Sequence, residues 1–266
     1  MQLTDIYIYP VKSLAGIRLE QATVQLRGLQ YDRRWMIVTP EGDFLTQRNV
    51  PELALIGTAI EPPYLILFDR FNTHDRVAIP LHVAEDEETW KDVSVWDDRL
   101  VGTLVSPDAD EWLSEKLSTE VQLVAMPEHS TRAVDSRYAP DGQYVSFADG
   151  YPFLLIGTAS LDDLNQRLAQ PVPMNRFRPN LVFSGGQPYE EETWRDFTIG
   201  GLPFQGVKPC ARCIMTTIHQ DTARAGSEPL KTLSGYRRDG NKVLFGQNVL
   251  WMGTEGVIKV GDVVSR

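Results

Sequence analysis

Trp35-Met36-Ile37-Val38-Thr39-Pro40-Glu41-Gly42-Asp43-Phe44-Leu45-Thr46 sets the texture of the chain. An apolar, partly β-branched run meets a Pro-Glu-Gly-Asp cluster and then resumes, which predicts two strands joined by a turn. The rest of the first third reads the same way. Leu3, Ile6 and Ile8 lead into Pro10 at mostly alternating spacing, Tyr64-Leu65-Ile66-Leu67-Phe68 is a short apolar run, and Val93-Ser94-Val95-Trp96 alternates again. Two helices interrupt this pattern. One starts near Ser106-Pro107-Asp108, with Pro at the start and Trp112, Leu113 and Leu117 at helical spacing. The other follows Thr158, where Ser160 and Asp163 have the spacing of a capping box and Leu161, Leu164 and Leu168 mark one face. Val257-Ile258-Lys259-Val260-Gly261-Asp262-Val263-Val264 reads as a closing hairpin. The expected fold is mostly β with a few helices (α+β): a closed barrel preceded by a smaller β domain.

A chain of 266 residues suffices for one large domain or two small ones. Its net charge of -10 argues against a general nucleic-acid binder, though a local basic pocket can still hold a small anion. No run approaches the roughly 20 apolar residues of a membrane span. Met1–Asp5 has neither the basic start nor the apolar core of a signal peptide, so a cytoplasmic protein is expected. The two cysteines, Cys210 and Cys213, with four histidines that lack paired spacing, are too few for a structural zinc site or an iron–sulfur cluster.

Lys208-Pro209-Cys210-Ala211-Arg212-Cys213 carries the most chemistry. A thioredoxin-like pair belongs at a helix N-terminus, whereas Ile214-Met215-Thr216-Thr217-Ile218 reads as a strand. A thiolate activated by Lys208 and Arg212, suited to a soft or high-valent metal, fits better. Two inert buried cysteines are the plain alternative. Asn175-Arg176-Phe177-Arg178-Pro179-Asn180 offers guanidinium forks for a phosphate and an amide for a heterocycle edge, yet alone it reads as a strand edge with solvated charges. Tyr9-Pro10-Val11-Lys12-Ser13 and Asp32-Arg33-Arg34-Trp35 are each ordinary turn chemistry when taken singly.

Taken in order, these four motifs resemble MOSC-domain proteins, in particular the mitochondrial amidoxime-reducing component and its bacterial YcbX-like relatives. Leu230-Lys231-Thr232-Leu233, Tyr236-Arg237 and Leu244-Phe245-Gly246-Gln247 extend the likeness toward Gly261-Asp262. The resemblance implies an N-terminal β-barrel-like domain over 1–121 and a MOSC domain over 122–266. It implies molybdenum cofactor, with Cys213 as metal ligand and catalytic residue. Lys12, Ser13, Arg33, Asp149, Arg178, Asn180 and Arg212 would line the cofactor. The implied reaction is reduction of small N-hydroxylated compounds such as amidoximes, hydroxylamines and N-hydroxylated bases. No cysteine remains for the ferredoxin domain that some bacterial relatives carry. Electrons are therefore expected from a separate ferredoxin, flavoprotein or cytochrome-type protein, with neither nucleic acid nor membrane as partner. MOSC domains also end the molybdenum cofactor sulfurases, so a cofactor carrier or sulfur-transfer module without turnover is the alternative. Pyridoxal phosphate is a further association that the resemblance brings. A thiol redox protein using Cys210 and Cys213 remains open beside these.

Overall fold

The computed structural model describes residues 1–84, 86–140 and 142–266. Trp35–Val38 is a strand with all four residues buried, and the chain reverses after it as the sequence predicts, but the expected second strand at 44–46 is reduced to an isolated bridge from Phe44 to Val38. Gly42 N donates to Thr39 O and Leu45 N to Ile37 O, both at 2.9 Å. Gly42 has φ +91°, and a Cβ there would lie 2.2 Å from Asp92 O, so backbone and space both require glycine. Trp35–Val38 pairs with Gln122–Ala125, which pairs with Asp98–Leu104, which pairs with Trp90–Val95. A meander of Ile56–Glu61, Tyr64–Asp69 and Asn72–Pro80 packs beside this sheet. The helix Pro107–Leu117 closes the same core through Ala109 and Leu113. Its entry is as read, since Ser106 Oγ accepts from Ala109 N at 3.4 Å.

The largest sheet runs Val264–Ser265, Asp196–Ile199, Leu202–Arg212, Lys242–Trp251, Phe153–Gly157, Leu181–Ser184, Gln2–Ile8, Ile17–Leu19. Its ends meet. Gln2 bridges Val263, Leu3 N donates to Asp262 O at 2.9 Å, and Val264 N donates to Met1 O at 2.9 Å. The sheet therefore closes through Gln2–Ile8 and is barrel-like, with Ile17–Leu19 paired to Gln2–Ile8 on its other side. Leu3 and Ile6 are three residues apart, a spacing that breaks strict alternation. A bulge between Leu3 and Asp5 resets the phase, so Leu3, Ile6 and Ile8 all reach a core shared with Phe153, Phe183, Phe204 and Trp251.

Three other local expectations are corrected. Residues 257–264 do not form a hairpin: Gly256–Lys259 pairs with Gln21–Gln25, and Val264–Ser265 pairs with Asp196–Ile199. Residues 214–218 are not a strand. Ile214–Thr217 is a 3-10 turn, in which Thr216 and Thr217 hydroxyls bond the carbonyls of Cys213 and Ile214 and so compete with strand pairing. The helix Thr158–Arg167 exists, but without the capping box; Gly157 precedes it, and Ser160 Oγ bonds Glu191 instead of the helix start.

Candidate functional site

The barrel sheet and the strand Trp35–Val38 meet along the segment Tyr9–Ser13, where Lys12 N donates to Trp35 O at 2.8 Å. A cleft opens beside it. A cavity of about 120 Å3 is lined by Lys12, Ser13, Arg33, Asp149, Arg178, Asn180 and Arg212 among others. An adjoining cavity of about 400 Å3 shares the walls at Asp149, Arg178 and Arg212 and adds Cys213. All eight residues nominated from the sequence thus line one cleft, although they come from five separated segments.

The cleft wall holds strained backbone. Ser13, Arg33, Trp96 and Arg178 have φ of +71°, +50°, +57° and +55°, a region that side-chain-bearing residues rarely adopt. Arg33 and Arg178 stack on the Tyr9 ring, each 4.2 Å from its centroid. Tyr9 is fixed in turn by donating its hydroxyl to Pro179 O at 3.1 Å and its backbone N–H to Asp32 Oδ1 at 2.9 Å. Burial pushes the Tyr9 phenol well above its ordinary value, so it is neutral between the two guanidinium groups.

Arg33 is spoken for. It bonds both Asp32 oxygens, at 2.8 and 2.7 Å, and reaches Asn180 Oδ1 at 3.1 Å. Asn180 also accepts from Leu154 N and donates to Tyr7 O, which makes it a clamp on Arg33 and the neighbouring strands. Lys12 is 5% exposed and donates to Phe147 O at 2.8 Å and Asp149 Oδ1 at 2.6 Å. Burial lowers the Lys12 pKa, and Asp149 works against that. Desolvation alone would raise the pKa of Asp149. The charge and hydrogen bond of Lys12, with Arg48 and Arg33, win and hold it well below the usual carboxylate range. Its side chain is 61% exposed toward the cleft, where Trp96 Nε1 also donates to it at 3.3 Å.

Arg178 differs from these. It is 7% exposed, yet among the described residues no acceptor is paired to its guanidinium. Burial, with Arg33 adding, pushes its pKa down to about 10, so it keeps its charge at neutral pH. Arg212 donates to Phe177 O at 2.7 Å and to Cys210 Sγ at 3.0 Å, while its Nε is buried without a partner. Tyr151 hydroxyl, on the same wall, is a second buried orphan. Arg176 is buried as well, bonded to Thr216 O and Glu228 O, so this motif is not the solvated strand edge that it resembles when read alone.

Both thiols are free; Cys210 is half-buried and Cys213 exposed. The arginine expected to serve the metal-binding thiol faces Cys210, and Lys208 Nζ lies 3.7 Å from the Tyr138 ring centroid. Cys213 precedes a 3-10 turn, which removes the ground on which the thiol-redox pair was disfavoured. Among the described residues no group of three His, Cys, Asp or Glu could cage a metal. A metal held here through Cys213 has to bring further ligands with it. The donor set fits such a group: unpartnered guanidinium for an anionic end, orphaned polar atoms for a hydrogen-bonding body, and one exposed soft thiol.

Sequence reasoning missed Arg132, whose guanidinium, 6% exposed, donates to Ser146 O at 2.9 Å and Asp149 O at 3.1 Å and also bonds Ala148 O. It also missed Arg48 and Trp96, stacked at 4.2 Å on the rim. Neither carries a local signal, because both act across long separations.

Residues 1–120 match the MOSC N-terminal beta barrel domain and residues 142–265 match the MOSC domain. Mitochondrial amidoxime-reducing component 1 of Mus musculus is 32% identical, over 98% of this chain and 81% of that one. The chain belongs to the MOSC-domain family. This MOSC protein is also 31% identical to mitochondrial amidoxime reducing component 2 of Bos taurus, over 98% of this chain and 82% of that one. Molybdenum cofactor sulfurase of Solanum lycopersicum is 32% identical over 92% of this chain, but the chain spans only 32% of that protein's length. Relatedness of this kind supports a role in molybdenum-cofactor-dependent redox chemistry. The cytoplasmic expectation is corrected: relatives matching nearly the whole chain are mitochondrial by name, which conflicts with it.

Proposed function

We propose that this MOSC protein is a molybdenum-cofactor-dependent reductase of small N-hydroxylated compounds, amidoximes and hydroxylamines among them. The observation that carries the reading is Arg178: a buried, charged guanidinium without an acceptor from the chain, on a cleft shared with an exposed Cys213. Arg178 and Arg212 would hold the cofactor's phosphate and pterin, Ser13 and Tyr151 would hydrogen-bond its body, and Cys213 would ligate the metal. When bound, the cofactor supplies the two-electron redox chemistry.

The chain's own residues bind and orient. Asp32 and Asn180 fix Arg33, and Tyr9 spaces Arg33 from Arg178. Arg132 and Lys12 pin the 146–149 backbone, which keeps the Asp149 carboxylate at the cleft. Asp149 is ionised at neutral pH and therefore accepts hydrogen bonds from a substrate N–H or O–H rather than supplying a proton. Electrons come from a separate ferredoxin, flavoprotein or cytochrome-type protein. Pyridoxal phosphate has no part in this reading.

Protein purified from a cofactor-making host is tested for reduction of an aryl amidoxime with an artificial electron donor. Turnover that is lost in Cys213→Ser supports the reductase. Bound cofactor without turnover favours the carrier or sulfur-transfer alternative, to which the likeness to the tomato sulfurase points.

A further inference from the structure

One wall of the cleft at its Cys213 end is apolar, and no sequence motif marks it. Trp96 lines the cavity of about 400 Å3 together with Cys213 and Asp149. It is not among the described residues that line the narrower cavity of about 120 Å3. All three groups reach the open space: the Trp96 residue is 43% exposed, the Asp149 side chain 61%, and Cys213 is exposed. The polar atom of the indole is already used, since Nε1 donates to Asp149 Oδ1 at 3.3 Å. The Arg48 guanidinium lies 4.2 Å from the ring centroid, and the Phe44 ring meets the indole at 67°. What Trp96 offers the cavity is therefore apolar ring surface.

Its backbone is costly to hold. Trp96 and Asp97 form the two-residue loop between the strands Trp90–Val95 and Asp98–Leu104, closed by the Val95–Asp98 pair. Such loops favour glycine, asparagine or aspartate where φ is positive. A tryptophan with φ +57° is out of place there on local grounds. The surroundings hold it. Arg132 Nε donates to Asp98 Oδ2 at 2.7 Å, while the same guanidinium bonds the carbonyls of Ser146 and Asp149. One buried arginine thus ties the base of the Trp96 loop to the segment that carries Asp149. Strain kept in place by such contacts gathers where a side chain has to stand at a site.

We propose that Trp96 is the specificity-determining wall of the cleft: it receives the planar apolar body of the substrate while the N-hydroxylated head lies at Asp149 and Cys213. The assignment rests on the reductase reading for the nature of that head. Indole and carboxylate are hydrogen-bonded neighbours, so the apolar and polar subsites adjoin. A ring attached directly to an amidoxime carbon reaches both, whereas a methyl in its place reaches the polar one alone. The preferred substrates are therefore aryl rather than alkyl N-hydroxylated compounds.

Benzamidoxime and acetamidoxime share the head and differ in the body. Both are titrated calorimetrically into protein purified from a cofactor-making host, and their turnover is followed with an artificial electron donor. The wild type should bind benzamidoxime about tenfold more tightly than acetamidoxime. Trp96→Asn removes the ring with a residue that tolerates a positive φ. It should lose that advantage, with KM for benzamidoxime raised by about tenfold and both kcat and the acetamidoxime KM within about twofold of the wild type. Trp96→Phe should restore most of the preference. A purely structural Trp96 would move both substrates together. No saturable binding of benzamidoxime below about 10 mM, equal affinities in the wild type, or an unchanged preference in Trp96→Asn overturns the proposal. Absence of turnover with Trp96-dependent binding of benzamidoxime supports the wall and sinks the reductase reading instead. If Trp96→Asn does not fold, Trp96→Gly, which takes a positive φ freely, replaces it.

Discussion

Replacing Glu191 by glutamine should flatten one limb of the stability–pH curve. Glu191 is fully buried, and its carboxylate accepts from Gly157 N at 3.2 Å and Ser160 Oγ at 2.8 Å. It thereby ties the end of the strand Phe153–Gly157 to the first turn of the helix Thr158–Arg167. Burial pushes its pKa from 4.5 up to about 7, and the hydrogen bonds offset only part of that. The folded state therefore keeps the proton over a range in which the unfolded chain has released it. Stability linked to this group is fully present below pH 4.5, falls as pH rises toward 7, and is flat above. Some 2.5 pH units at about 1.36 kcal/mol each amount to about 3 kcal/mol. Glutamine keeps an oxygen for Gly157 and Ser160 but has no proton to release. Urea unfolding of both proteins at several pH values between 4 and 8 isolates the effect, because other titrations cancel in the difference. The wild type should lose about 3 kcal/mol relative to Glu191→Gln across that range. Parallel curves, or a wild type that gains on the variant as pH rises, would refute the assignment.

Three further outcomes are expected. Ser106→Ala should cost about 1 kcal/mol in unfolding free energy by removing the cap of the helix Pro107–Leu117. Gly206→Ala should cost more, about 2 kcal/mol or above by denaturant unfolding, because its Cβ would sit 2.2 Å from Trp194 O, a backbone atom that cannot swing away. Arg178→Ala should lower retention of molybdenum and pterin through gel filtration by about tenfold or more, since the charge-assisted contact proposed for the phosphate would be lost; unchanged occupancy would return Arg178 to a structural role.

Local patterns told the truth where local forces decide. The turn at Pro40–Asp43 and the helix after Ser106 are set by residues a few positions apart, and both stand as read. The 257–264 segment failed because its two halves find partners at Gln21–Gln25 and Asp196–Ile199, far away in the chain. Residues 214–218 failed because threonine hydroxyls bond the local backbone, an option that β-branched composition does not reveal. The eight residues that the resemblance nominates all line the cleft, but the rest of its wall and the wiring were not legible. Nothing in the sequence says that Arg33 is occupied by Asp32 while Arg178 stands without an acceptor, or that Arg212 faces Cys210 rather than Cys213. The first of those distinctions arises from a buried tyrosine held between two strained arginines, a product of tertiary packing.

The most direct test of the central claim is the molybdenum and pterin content of the protein purified from a cofactor-making host. Metal is read by mass spectrometry and pterin by its fluorescence after oxidation, with Cys213→Ser alongside. Near-equal molybdenum and pterin are expected in the wild type, with a loss of molybdenum in the variant. Absence of both from the wild type, in a host shown to load another molybdenum protein, would contradict it and return the Cys210–Cys213 pair to the centre as a thiol redox site.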